Sequence, residues 1–165
     1  LFPYLAKLQE TYPVRAGCPR ADNCDTMILS KTPLEDIELQ SLDPLWRGRV
    51  ITARTTVGGR DVQLVARHMI KPYYDTWAAG DVRATVKLLE TLPGPLLMAG
   101  DFNAAPWSDN LVRLRKAAGL LPAPSYPATW PVEATQQVGS LAVAAVAGVV
   151  LAARTRRDRR IGAVL

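Results

Sequence analysis

Leu96-Leu97-Met98-Ala99-Gly100-Asp101-Phe102-Asn103 is the stretch on which the fold turns. Its first five residues are apolar without alternation, which reads as a strand buried on both faces. Leu92-Pro93-Gly94-Pro95 comes just before it and stops any preceding helix, because proline has no amide hydrogen to give and glycine permits the turn. The strand ends in a carboxylate and a carboxamide two residues apart. A rigid strand end aims its loop into a crevice, so Asp101 and Asn103 are candidate site residues; Asp and Asn are equally ordinary turn formers, and both readings stand on the residues alone. Gly100 would let the backbone come close to a ligand, and Phe102 would anchor the turn between its two polar neighbours.

Working outward, Val82, Val86 and Leu89 recur at helical spacing before the proline stop. Downstream, Ser108 is placed to cap a helix whose inward face carries Leu111, Leu114 and Ala118. Upstream, residues 49–57 are rich in β-branched side chains, and Gly58-Gly59 separates them from residues 62–67, a hairpin signal because glycine supplies the positive φ of a tight turn. Residues 26–30 form a short apolar run before Lys31-Thr32-Pro33 and read as a buried strand. Leu1, Leu5 and Leu8 share one face of a helix that stops before Tyr12-Pro13. The order helix, strands, helix, strand, helix predicts a mixed α/β layered domain.

His68 is the only histidine and closes the second hairpin strand. A hydrogen-bonded structural histidine is one reading. The other is that the hairpin strand and the 96–100 strand end on the same side, bringing His68 and Asp101 into one site. Tyr73, Tyr74 and Trp77 follow closely, as part of a substrate wall or as packing.

The chain of 165 residues suits one domain and can bury its own core. The net charge of +5 points weakly to a polyanion, since five of the twenty basic residues (Arg154, Arg156, Arg157, Arg159 and Arg160) crowd into one tail and leave a nearly neutral body. Cys18 and Cys24 do not match a zinc pattern and are either a disulfide of an exported domain or two free thiols. Residues 138–153 are uncharged and rich in Ala and Val, and the arginine cluster follows at once. Sixteen residues fall short of the roughly 17 to 20 a membrane helix needs. The run is therefore read as a short membrane segment with a cytoplasmic basic flank or as a docked helix.

Residues 96–107, with Gly100-Asp101-Phe102-Asn103 at their centre, resemble the Gly-Asp-Phe-Asn signature of the endonuclease/exonuclease/phosphatase superfamily. Residues 27–34 resemble that superfamily's early strand, and the glycine hairpin ending in His68 resembles its histidine-bearing strand. The similar blocks occupy residues 1 to 131 in the family's order, leaving 132–165 as a divergent tail. The resemblance implies an α/β (α+β) fold, a two-layer β-sandwich flanked by helices and here incomplete at both ends. It also implies a Mg2+- or Mn2+-dependent hydrolase of phosphate esters, with nucleic acid among the candidate substrates, acting as a monomer. By similarity Asp101 would orient the attacking water, Asn103 would bind the phosphate or hold its neighbours, and His68 would donate to a phosphoryl oxygen.

The chain also departs from the pattern. The family's early Asn and its metal-binding Glu precede the segment similar to residues 1 to 11, and Glu10 does not replace that Glu. A single histidine leaves no Asp-His pair to supply the general base. The expectation is a fragment with a truncated start and a divergent or frameshifted tail, inactive or poorly active alone. Two further readings stand beside it: a non-catalytic interaction module on the same scaffold, and a membrane-tethered basic protein. A membrane-associated or extracytoplasmic location is the expectation that goes with Cys18-Cys24 and residues 138–153.

Overall fold

Parallel strands need a crossover to connect them, and the hydrophobic pattern between residues 75 and 91 supplies one. The computed structural model describes residues 2–17, 26–42, 48–71, 74–122 and 152–154. Strand β5 (Arg60–His68) leads into helix α2 (Asp75–Thr91), which returns the chain to β6 (Leu96–Asp101). β5 and β6 pair in parallel with His68 opposite Asp101, so both strands deliver their last residues to the same end of the sheet. α2 stops where the sequence says it must: Leu92 is extended ahead of Pro93.

The Gly58-Gly59 hairpin joins β4 (Val50–Val57) to β5 with an unbroken antiparallel register. β3 (Glu35–Gln40) adds to the other side of β4, with a register shift between Glu35 and Glu38 where Asp36 takes a positive φ. Its two apolar residues, Ile37 and Leu39, are about half exposed, so burial does little to hold this strand. Arg54 on β4 holds it by charge, reaching Glu35 at 2.6 Å and Asp36 at 2.9 Å. β7 (Leu121–Pro122) and β8 (Ala152–Arg154) extend the sheet beyond β6, giving the order β3-β4-β5-β6-β8-β7. A second, two-stranded sheet pairs β1 (Val14–Gly17) with β2 (Met27–Ser30), after the N-terminal helix α1 (Phe2–Thr11).

Alternation along β4 to β6 assigns the two faces of the large sheet. Val50, Val65, Leu96 and Met98 point to one face and are buried with Val82 and Leu89 of α2 and with Leu111, Leu114 and Ala118 of α3 (Asp109–Ala118). Ser108 caps α3 by accepting from the amide of Leu111, as the sequence predicts, and Gly119 closes the helix in a left-handed conformation. Ile51 and Ala53 are buried on the opposite face, where β1 meets β4. Leu97 and Ala99 share that second face and are only half-buried, so β6 is fully covered on one side rather than on both. Among the described residues, the small sheet covers the β4 end of that face and leaves the β6 end less covered.

The structure gives Gly100 a task within the sheet that its position in the sequence did not suggest. Its φ is +146°, and a Cβ there would overlap the Arg67 carbonyl oxygen and sit 2.8 Å from the Arg67 carbonyl carbon. Gly100 is thus required by the approach of the neighbouring strand. The pairing of Cys18 with Cys24 and most of the 138–153 run lie outside the described residues; only 152 and 153 of that run are described, and they are strand. Among the described residues no helix is long and apolar enough to cross a membrane.

Gly100→Ala is expected to cost about 3 kcal/mol or more, since backbone must move to admit the methyl group. Gly94→Ala, at φ +72° with open space around it, should cost only about 1–2 kcal/mol. Urea unfolding of both variants would check the contrast, and equal losses would remove the close-approach explanation.

Candidate active site

The end of the sheet where β5 and β6 finish gathers the three residues singled out in the sequence. His68 Nε2 lies 3.8 Å from Asp101 Oδ2, a separation suited to charge attraction and too long for a hydrogen bond. The Asp101 side chain is 43% exposed and that of His68 23%, so both are open to solvent. Asp101 Oδ1 accepts from the Asn103 backbone amide at 2.9 Å, an Asx turn that fixes the carboxylate plane. Asn103 sits in the left-handed region at φ +47°, which asparagine tolerates better than most residues. Its side-chain amide donates to the Met69 carbonyl at 2.8 Å, tying the loop after β6 to the end of β5. Phe102 is buried in the main core between these two polar neighbours, anchoring the turn.

One polar group at this end was not foreseen. Arg67 alternates with Val65 onto the helix-covered face and is buried, and Asp81 of α2 meets it there as a buried ion pair. Arg67 also donates from Nη1 to the carbonyls of His68, at 2.8 Å, and Arg49, at 3.2 Å. Asp81 Oδ2 accepts from the Ile70 amide at 2.9 Å, and Thr85 Oγ1 donates to the Asp81 carbonyl at 2.7 Å. Two features of the sequence could have revealed the pair. Arg67 interrupts the core-facing alternation of its strand, and Asp81 falls on the Ala78, Val82, Thr85, Leu89 stripe of α2.

Tyr74 and Trp77 are about half exposed and are not core packing; Tyr73 lies outside the described residues. Among the described residues no three His, Cys, Asp or Glu side chains converge. Mg2+ asks for oxygen donors in near-octahedral array, and Asp101 brings one carboxylate beside a nitrogen donor. The described residues alone do not make up a site for Mg2+ or Mn2+.

The sequence profile of the endonuclease/exonuclease/phosphatase family matches residues 2–141. The chain belongs to this family. Solved structures repeat its α/β sandwich at low sequence identity. A β-hairpin deletion mutant of β toxin from Staphylococcus aureus superposes with a TM-score of 0.65 at 11% identity, over 96% of this chain and 71% of that one. Sphingomyelinase C from Streptomyces griseocarneus gives 0.65 at 16%, over 98% and 68%. D. rerio TDP2 complexed with a single-strand DNA product gives 0.55 at 15%, over 74% and 50%. The chain thus spans from half to about seven-tenths of these structures' lengths. Another S. aureus β toxin structure contains magnesium ions. No curated protein sequence matches this endonuclease/exonuclease/phosphatase family chain.

Removing one partner of the buried pair, as in Asp81→Ala, should cost about 3–5 kcal/mol by leaving the Arg67 guanidinium uncompensated. Asp101→Asn, at an exposed carboxylate, should cost less than about 1 kcal/mol. Chemical denaturation followed by circular dichroism would compare them, and a small loss for Asp81→Ala would show the pair to be solvated in solution.

Proposed function

We propose that this site hydrolyses phosphate esters by in-line attack of water, with His68, Asp101 and Asn103 as its catalytic residues. The observation that carries the reading is the in-register placement of His68 against Asp101 on parallel strands, with Asn103 tied to both strand ends. Family membership supports it independently.

Each group has a role its geometry permits. The Asp101 carboxylate, oriented by the Asn103 amide, accepts a hydrogen bond from the attacking water and directs its lone pair at phosphorus. As the new P–O bond forms and the ester P–O bond breaks, the water gives up a proton to Asp101 or to solvent. The alcohol leaves and takes a proton from solvent. His68 Nε2 donates to a phosphoryl oxygen, where negative charge grows in the transition state. Asn103 spends one amide hydrogen on Met69 and has the second for another phosphoryl oxygen. None of these groups is strong alone, so the rate depends on their being held in place.

The second reading, a non-catalytic module on the same scaffold, is favoured by the single histidine of this chain, which leaves no second imidazole to act as general base.

Hydrolysis of bis-p-nitrophenyl phosphate and p-nitrophenyl phosphate, with Mg2+ or Mn2+ supplied, decides between them. Asp101→Ala and His68→Asn are expected to lower kcat by about 100-fold or more at unchanged fold. Activity equal to that of the unmodified chain in both variants would sink the assignment, and a folded chain with no activity on either ester would favour the module.

A further inference from the structure

Arg67 and Asp81 act on the opposite face of the sheet from His68 and Asp101, so any influence on the site must pass through the backbone. The bonds of residues 68 to 70 show how. The peptide group between His68 and Met69 has its carbonyl on Arg67 Nη1 and its amide on the Asp101 carbonyl, both at 2.8 Å. The next peptide group, between Met69 and Ile70, has its carbonyl on Asn103 Nδ2 at 2.8 Å and its amide on Asp81 Oδ2 at 2.9 Å. Each planar unit is gripped on one edge by the buried ion pair and on the other by the loop that carries Asp101 and Asn103. A peptide plane does not bend, so tilting one edge tilts the other.

Stability gives little reason to keep charge here. A buried ion pair adds little over apolar side chains of similar volume, and its directed hydrogen bonds are what apolar side chains lack. We propose that Arg67 and Asp81 are positioning residues of the site. They set the tilt of two consecutive peptide planes, and so fix His68 against Asp101 and the Met69 carbonyl against Asn103. The proposal rests on the reading of His68, Asp101 and Asn103 as the working groups. Thr85 completes the device by accepting from Arg67 Nε at 3.4 Å and donating to the Asp81 carbonyl.

Because this chain has a single histidine, its imidazole gives one set of nuclear magnetic resonance signals. Asp101→Asn should displace those signals in the otherwise unmodified chain. In Asp81→Asn, and more mildly in Thr85→Val, the folded spectrum should persist while the response of His68 to Asp101→Asn is lost. The Asn103 side-chain amide protons should also exchange with water about tenfold faster, as expected when a local bond opens more often. Where turnover is measurable, kcat on bis-p-nitrophenyl phosphate should fall about 10- to 100-fold with KM within about twofold, the signature of misplaced rather than missing groups. If both variants lower only the unfolding midpoint and leave the His68 response and the Asn103 exchange unchanged, the pair is structural and the proposal is wrong. Should Asp81→Asn fail to fold, Thr85→Val carries the same comparison. The resonance measurements need no turnover, so absence of hydrolysis would count against the catalytic assignment of the site and not against the positioning role.

Discussion

The close passage of Gly100 beside the Arg67 backbone is the constraint from which the rest of the molecule follows. β5 and β6 pair in parallel through His68 and Asp101 only because no Cβ stands at position 100. That register sends His68 and Asp101 to one face and Arg67 to the other. It also places the Asp101 carbonyl against the Met69 amide, which continues the ladder past the end of the strand. A side chain at position 100 would therefore disturb the core face, the site face and the loop between them together.

The large elements were legible because their signals are local. Proline and glycine mark the end of α2, Ser108 marks the start of α3, and Gly58-Gly59 marks the hairpin. The convergence of His68 and Asp101 was legible for a related reason: both residues close a strand, and two strands joined by one helix end on the same side. β1 and β3 were not legible. β1 has four residues, too few to show alternation, and β3 carries three acidic residues in a six-residue strand held by Arg54 from its neighbour. No property of β3 by itself encodes an attraction that belongs to a pair.

The same distinction separates the two polar groups at the site end. Asp101 and Asn103 sit in a signature that can be read residue by residue. Arg67 and Asp81 are fourteen positions apart on different elements, and each alone looks like an error in an apolar pattern. Only when strand and helix are laid face to face do the two irregularities become one interaction. Misfit residues of opposite charge on facing apolar stripes are thus a readable signal when taken together.

β8 completes the sheet by lying antiparallel to β6, pairing Leu96 with Arg154 and Met98 with Ala152. β8 begins at Ala152 and β6 ends at Asp101, so this neighbour is synthesised about fifty residues after β6. During synthesis β6 can pair with β5 on one edge while its other edge waits with unmet amides and carbonyls. The wait makes that edge a template for strands of other nascent chains, and closing so distant a contact is slow. The yield of native molecules should therefore respond to how quickly translation runs through the intervening stretch, a sensitivity that belongs to the topology and not to any residue of the site.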